Sequence, residues 1–352
     1  MSRLTRSTTP PVGGSAAYHR SVKVAVVGAG SWGTTVAAVV AQSSDVRLWA
    51  RRPELAEAIN STGQNEDYLP GFTLPSGLAA TSDLGEALDG ADAVVMGVPS
   101  HGFRAVLEEA RPEIDVGTPI ISLTKGLEAG SNMRMTQVIA DVLPGHEPAG
   151  IGVLTGPNLA REIMEGQPAA SVISVPDEKI ATVLQSVFMT PSLRVYSNTD
   201  VVGCEMAGSL KNVMALAAGM AHGLGYGDNS MATLITRALA ELSRLGRAMG
   251  GNPATFAGLA GMGDLIATCI SPLSRNHRVG IALGKGKRLE EIIAEMNMVA
   301  EGVKTTPVVV ALAAEYDVDM PIANQVAKVL EGQPVSQMLA ELMGRPPKAE
   351  GA

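Results

Sequence analysis

Few side chains in this 352-residue chain are placed to do chemistry. Lys211 interrupts an otherwise apolar run from Glu205 to Gly219. A lysine there either reaches solvent through its methylene stem or serves a task. Desolvation, or another cation such as Lys125, would lower its pKa and suit it to proton transfer. Asp264 follows Gly261 and Gly263, so it is either a carboxylate on a tight loop or the N-cap of a helix over Leu265–Thr268. Ser274-Arg275-Asn276 offers hydroxyl, guanidinium and amide in one short run, suited to a phosphate or polyol, or to a capped turn. His101, His146, His222 and His277 have no acid or cysteine at motif spacing. There is no CxxC, HExxH or GxSxG, so neither a metal centre nor a nucleophile–base pair is expected.

A second group of residues points to a nucleotide. Lys23-Val-Ala-Val-Val27 leads into Gly28-Ala-Gly30-Ser31-Trp32-Gly33, and a helical pattern follows. A glycine triplet at this spacing, between a strand and a helix, is the dinucleotide-binding fingerprint. Gly28 allows the tight turn, Gly30 lets backbone approach a pyrophosphate, and Gly33 lets helix pack close to strand. The bland alternative is a tight strand–helix turn with no ligand. An NAD binder would carry an acid about 20 residues later, against the ribose hydroxyls. This chain instead has Arg47, Arg51 and Arg52 around the second strand. Guanidinium groups suit the extra phosphate of NADP, so NADP is expected over NAD, with NAD still possible. Solvated loop arginines are the alternative.

The first half of the chain alternates short apolar runs with helical patterns. Strands are expected at Val22–Val27, Val46–Trp49, Ala93–Val98, Pro119–Leu123, Gly152–Leu154, Ser171–Val175 and Leu193–Tyr196. Continuous apolar runs of this kind form parallel strands covered on both faces, so an α/β, Rossmann-like doubly wound sheet is predicted. Ligands bind such sheets beyond the carboxyl ends of the strands. Those ends carry Met96-Gly-Val-Pro-Ser100, Leu123-Thr-Lys125-Gly126 and Leu154-Thr-Gly156-Pro-Asn158. After Val202 the strand signals fade. Helices are expected at Glu205–His222, Ser230–Met249, Leu289–Met296, Pro307–Tyr316 and Pro321–Leu330. The predicted organisation is a disordered extension over 1–20, a nucleotide-binding domain over 21–202 and an all-α domain over 203–352.

Composition excludes other classes. The 27 basic and 35 acidic residues leave a formal charge of −8, and aromatics are only 3%, which argues against a nucleic-acid binder. Val24–Ser44 holds no charge but contains three glycines, so it reads as strand, turn and helix rather than a membrane span. The first 20 residues lack an apolar h-region, and two distant cysteines suit a reducing compartment; a cytoplasmic location is expected.

Eight blocks then carry a resemblance: GAGSWGT at 28–34, LTKGLE at 123–128, LTGPNLAREI at 154–163, EMAGSLKNVMALAAG at 205–219, ITRALAE at 235–241, GLAGMGDLIATC at 258–269, SRNHRVG at 274–280 and AEGVKT at 300–305. In this order and spacing the sequence resembles the bacterial NAD(P)-dependent glycerol-3-phosphate dehydrogenases of the soluble, biosynthetic type. The resemblance implies interconversion of dihydroxyacetone phosphate and sn-glycerol 3-phosphate for phospholipid synthesis. It implies Lys211 as the acid/base. It implies cofactor contacts at Ser31, Trp32, Arg51, Lys125, Ala160, Arg275, Val299 and Glu301. It implies substrate contacts at Lys125, Gly156, Asp264, Ser274, Arg275 and Asn276. Asn158-Leu159 departs from the family's usual Ser or Thr followed by Phe, yet Asn keeps a donor and an acceptor for the substrate contact. A homodimer built on the apolar helices after Glu205 is also expected. Two rival readings are a dehydrogenase of the same architecture acting on a β-hydroxyacid or ketopantoate, and a non-catalytic NADP sensor. Loss of Lys211 or Asp264 would mark the sensor, and both are present.

Overall fold

The computed structural model describes residues 22–296, 300–347 and 349. The extension expected over 1–20 and the cofactor position Val299 lie outside the described residues. The chain divides into two compact units, one reaching Lys125 and resuming at Met133–Cys204, the other made of Gly126–Asn132 and Glu205 onward.

The first unit is built on strands β1 (Lys23–Val27), β2 (Asp45–Trp49), β3 (Gln64–Asn65), β4 (Leu69–Thr73), β5 (Leu78–Thr81), β6 (Ala93–Met96), β7 (Ile120–Ser122), β8 (Ile151–Thr155), β9 (Ala169–Ser174) and β10 (Leu193–Asn198). β3 and β4 form a small antiparallel pair; the other eight form one sheet in the order β10-β9-β8-β7-β6-β1-β2-β5. Alternating side chains of β1 serve opposite faces of that sheet. Val24 and Val26 join a core with the helices Ser31–Val40, Pro53–Thr62 and Glu178–Phe188. Ala25 and Val27 join another with the helices Leu84–Leu88, Ser100–Ala110 and Met135–Val142. Burial on both faces explains why these strands read as unbroken apolar runs. Because β1 lies between β2 and β6, connections leave it in both directions, and a crevice opens beyond its carboxyl end.

One part of the expected parallel sheet is corrected. β9 pairs antiparallel with β8, while the other pairs of the large sheet are parallel. The connection holds only the five-residue helix Ala160–Met164. Such a helix spans about 7.5 Å, against roughly 16 Å for a five-residue strand, so it does not carry the chain back to the strand's start. β5 was not anticipated, since Leu78-Ala-Ala-Thr81 carries one β-branched residue and no alternation.

The second unit is helical among its described residues. Its longest helices are Val201–Gly223 and Asp228–Ala248, followed by Arg275–Gly284, Glu301–Glu315 and Pro321–Leu330. The helix expected to begin at Pro307 begins six residues earlier, with Pro307 inside it. Reading proline only as a helix starter placed that boundary late. Val201–Gly223 and Arg275–Gly284 cross on facing glycines. A Cβ on Gly219 would lie 2.1 Å from the His277 carbonyl oxygen, and one on Gly280 would lie 2.2 Å from that of Leu216. Gly223 and Gly284 repeat the contact one turn on, at 2.5 Å from Ile281 O and 2.4 Å from Met220 O. No helix of the described residues is long and apolar enough to cross a membrane.

Candidate active site

In the first unit Gly28 and Gly33 have the geometry their spacing implied, a tight turn and close helix–strand packing. Gly28 has φ of +120°, and a Cβ on it would lie 2.8 Å from the backbone of Gly97, which follows β6. A Cβ on Gly33 would lie 2.0 Å from the Gly28 carbonyl oxygen. A Cβ on Gly30 would meet nothing within 4 Å, so this face of the turn is open to a ligand. Gly30 is the N-cap of Ser31–Val40, whose first turn presents N–H groups and the positive end of the helix dipole. These features fit a dinucleotide pyrophosphate. The Trp32 indole Nε1 is buried without a partner among the described residues, a donor that a ligand acceptor would satisfy. Ser31 Oγ donates to Tyr68 O at 2.5 Å.

One residue of this turn was missed by sequence reasoning. Asn65 is fully buried, and its Nδ2 donates to Ala29 O at 3.0 Å and Thr34 Oγ1 at 2.8 Å, bracing the turn from 36 and 31 residues away. Sequence spacing carries no signal for that contact. The arginines divide. Arg47 pairs with Glu86 at 2.8 Å. Arg52 pairs with Asp67 and lies 5.9 Å from the Tyr68 ring centroid; the Asp67 hydrogen bond raises its pKa. Arg51 is exposed.

At the strand ends, Lys125 Nζ donates to Gly156 O at 2.9 Å. Thr124 Oγ1 donates to Val98 O at 2.6 Å, tying the loop after β7 to the one after β6. Asn158 Oδ1 accepts from Ser171 Oγ at 2.8 Å, and Ala160 opens the short helix after it.

In the second unit, Lys211 does not reach for solvent; its side chain is 7% exposed. Its Nζ donates to Asp264 Oδ1 at 2.5 Å and Thr268 Oγ1 at 2.6 Å. The Asp264 side chain is 2% exposed, so each charge answers the other's desolvation. The Thr268 hydroxyl donates to Asp264 O at 2.6 Å, which aims an oxygen lone pair at the ammonium. Asp264 is not the N-cap that one reading of the sequence allowed. It is the first residue of the helix Asp264–Ile270, and Gly263 precedes it as cap. The wide π-helical turn Leu259–Gly263 sets it there, closed by Gly263 N to Gly258 O at 3.1 Å. Cys269 adjoins the pair, and burial pushes its thiol up to about 12, so it stays protonated.

The Ser-Arg-Asn run begins the helix Arg275–Gly284. Ser274 is buried and caps it, accepting from His277 N at 3.3 Å. Asn276 is buried; its Oδ1 accepts from Gly302 N at 2.9 Å and its Nδ2 donates to Asn212 Oδ1 at 3.0 Å. The Gly302 bond fixes the amide, because backbone N–H only donates. Asn212, next to Lys211, is a second polar residue that spacing did not single out. Arg275 is exposed along its side chain, yet surrounding protein lowers its guanidinium pKa while Glu301 opposes the shift. No group of three or more metal-ligating side chains occurs among the described residues.

A dinucleotide turn at the carboxyl end of an interior strand of a doubly wound sheet, with a buried lysine–carboxylate pair in a helical unit, defines a nicotinamide-dependent dehydrogenase of the Rossmann-like class. Family profiles described as NAD-dependent glycerol-3-phosphate dehydrogenase N-terminus and C-terminus match residues 23–181 and 200–340. The chain belongs to that family. It is 60% identical to a glycerol-3-phosphate dehydrogenase [NAD(P)+] of Sphingopyxis alaskensis over 89% of this chain and 93% of the relative. It is 52% identical to the corresponding Mycobacterium avium protein over 95% and 98%. A crystal structure of glycerol-3-phosphate dehydrogenase from Coxiella burnetii superposes with a TM-score of 0.88 at 37% identity, covering 92% of this chain and 99% of that one.

Proposed function

We propose that the protein reduces dihydroxyacetone phosphate to sn-glycerol 3-phosphate, reversibly, with NADPH preferred and NADH possible, and so supplies glycerophospholipid synthesis. The observation that carries this reading is the buried Lys211–Asp264–Thr268 cluster. Reducing a ketone requires a hydride at carbon and a proton at oxygen. The nicotinamide, when bound, supplies the hydride. Lys211 Nζ supplies the proton to the developing alkoxide and takes one back from solvent. Asp264 holds that ammonium charged and oriented, and the Thr268 lone pair fixes its direction.

Ser274, Arg275 and Asn276 hold the substrate phosphate, Arg275 through its charge and Asn276 through a donor-presenting amide. A remote grip of this kind can position the carbonyl. Gly28, Gly30 and Gly33 with Ser31 and Trp32 hold the pyrophosphate side of the cofactor; Arg51 and Arg52 favour its 2′-phosphate. Lys125, Gly156, Asn158, Ala160, Val299 and Glu301 complete the contacts carried by family resemblance. A homodimer in the cytoplasm belongs to the same reading.

The test is loss of reduced-nicotinamide absorbance with dihydroxyacetone phosphate, comparing NADPH with NADH. Oxidation with this substrate, and none with unphosphorylated dihydroxyacetone, supports both reaction and phosphate grip. Activity with ketopantoate or a β-hydroxyacid instead overturns the substrate. Cofactor binding without oxidation of any of these overturns the enzyme reading.

A further inference from the structure

The end of β2 lacks the acid that an NAD binder sets against the ribose hydroxyls, but the fold brings a carboxylate close to it from another element. Asp67 lies in the turn between β3 and β4, and it accepts a hydrogen bond and ion pair from Arg52, the N-cap of the helix Pro53–Thr62. Glu54, on that helix, stands off at 4.0 Å from Arg52 Nε. The β3–β4 turn is tied to the glycine fingerprint on both sides of Asp67. Asn65 Nδ2 donates to Ala29 O at 3.0 Å and to Thr34 Oγ1 at 2.8 Å, and Ser31 Oγ donates to Tyr68 O at 2.5 Å. The Arg52 guanidinium also lies over the Tyr68 ring, 5.9 Å from its centroid. Asp67 is thus held by its neighbours beside a cation suited to the 2′-phosphate of NADP.

Both side chains are half-exposed, so the pair contributes little by itself and exchanges readily. A phosphate monoester carries a charge of about −1.5 to −2 and pairs bidentately with a guanidinium, so it outcompetes a single carboxylate. The exchange leaves the carboxylate beside a second anion, and like charges oppose each other. We propose that Asp67 is a specificity-determining residue that acts through Arg52: it occupies the guanidinium when the cofactor carries a 2′-hydroxyl and opposes a 2′-phosphate, narrowing the preference for NADPH over NADH. Discrimination here is a difference of two affinities, and a group that weakens one of them sets it as surely as a group that strengthens the other. The proposal rests on the cofactor reading above and adds to it a residue that need not touch the cofactor.

The test is the Kd of NADPH and of NADH by fluorescence titration of the full-length protein, with Tm as a check on folding. Wild type is compared with Asp67→Asn, Asp67→Ala, Arg52→Ala and the double variant Arg52→Ala/Asp67→Asn. Each Asp67 variant is expected to tighten NADPH about 5-fold and to leave NADH within about 2-fold. A merely structural role would move both cofactors together. The gain should shrink in roughly 0.5 M salt, because the groups are exposed and screened. In the Arg52→Ala background, Asp67→Asn should tighten NADPH by less than it does in wild type, because the guanidinium it would release is gone. Unchanged NADPH affinity in both Asp67 variants, or an equal shift for both cofactors, overturns the proposal. A full gain in the Arg52→Ala background overturns Arg52 as the route. A wild type that binds neither cofactor overturns the proposal together with the cofactor reading. Binding without turnover counts against the dehydrogenase reading alone, because these constants are read without substrate.

Discussion

The two units build their sites by different means. The site of the first unit is mostly backbone: three glycines within six residues, a helix N-terminus and the ends of strands. That of the second unit is mostly side chain. Lys211 reaches Asp264 and Thr268 across 53 and 57 residues of sequence, and Asn212 meets Asn276 across 64. A backbone site tolerates little added volume, whereas a side-chain site tolerates volume but no loss of a polar partner. Substitutions should therefore fail differently in the two.

The largest effect is expected for Lys211→Ala. Turnover should fall at least about 100-fold, the lower range for general acid–base catalysis, while NADPH binding by fluorescence titration stays within a few-fold. Near-normal turnover would remove the lysine from the chemistry. Gly33→Ala should do the opposite, weakening NADPH binding at least about 10-fold and lowering Tm by several degrees, because overpacking costs about 1–3 kcal/mol. Thr268→Val should lower kcat about 10-fold with KM little changed, and Thr268→Ser should recover most of it, since only the oxygen is needed. Arg51→Ala should reduce the NADPH-over-NADH preference more than Arg52→Ala does, because the Arg52 charge is already answered by Asp67. Equal small effects would make both arginines ordinary surface residues.

The smallest expected effect concerns pH. Glu241 is buried and accepts from Ile322 N at 2.8 Å and Ala323 N at 3.3 Å, at the start of Pro321–Leu330. Burial raises its carboxyl to about 7, above the ordinary 4.5, against the pull of those two N–H groups and of Arg244. A raised folded pKa means the folded state holds the proton more tightly. The stability it brings is complete below pH 4.5 and is lost as pH rises through 7. The Tm of wild type relative to Glu241→Gln should thus be higher at pH 5.5 than at pH 8, by a few degrees. A difference independent of pH would show that Glu241 does not titrate in this range.

Legibility in the sequence followed the same division. The glycine turn was readable because its parts are adjacent and its chemistry is that of backbone geometry. The apolar runs gave most sheet strands for the same local reason. The antiparallel β9 was hidden because pairing direction depends on how far the connection travels, which a run of Ala-Ala-Ser-Val does not express. Lys211 stood out only as an oddity in an apolar helix. Asp264 stood out by its glycine neighbours and by resemblance, Thr268 by neither, and their contacts with Lys211 emerge only through packing, since no spacing rule relates positions 53 residues apart. Asn65 and Ser171 were invisible to motif reading: each is a small polar residue whose work lies in a contact made by the fold.

The glycine crossing of Val201–Gly223 and Arg275–Gly284 has a consequence for redesign. With facing backbones nearly in contact at Gly219–Gly280 and Gly223–Gly284, the two helices have no slack to slide closer or to admit a wedge. Lys211 and Asn276 ride on those helices, so their spacing, which under the proposed function is the gauge between proton donor and phosphate grip, is machined into the scaffold. A breeder of altered substrate scope would gain little from shifting either rod. Longer or shorter substrates would have to be accommodated by exchanging the fittings, at 274–276 and around 302, while the frame stays as it is.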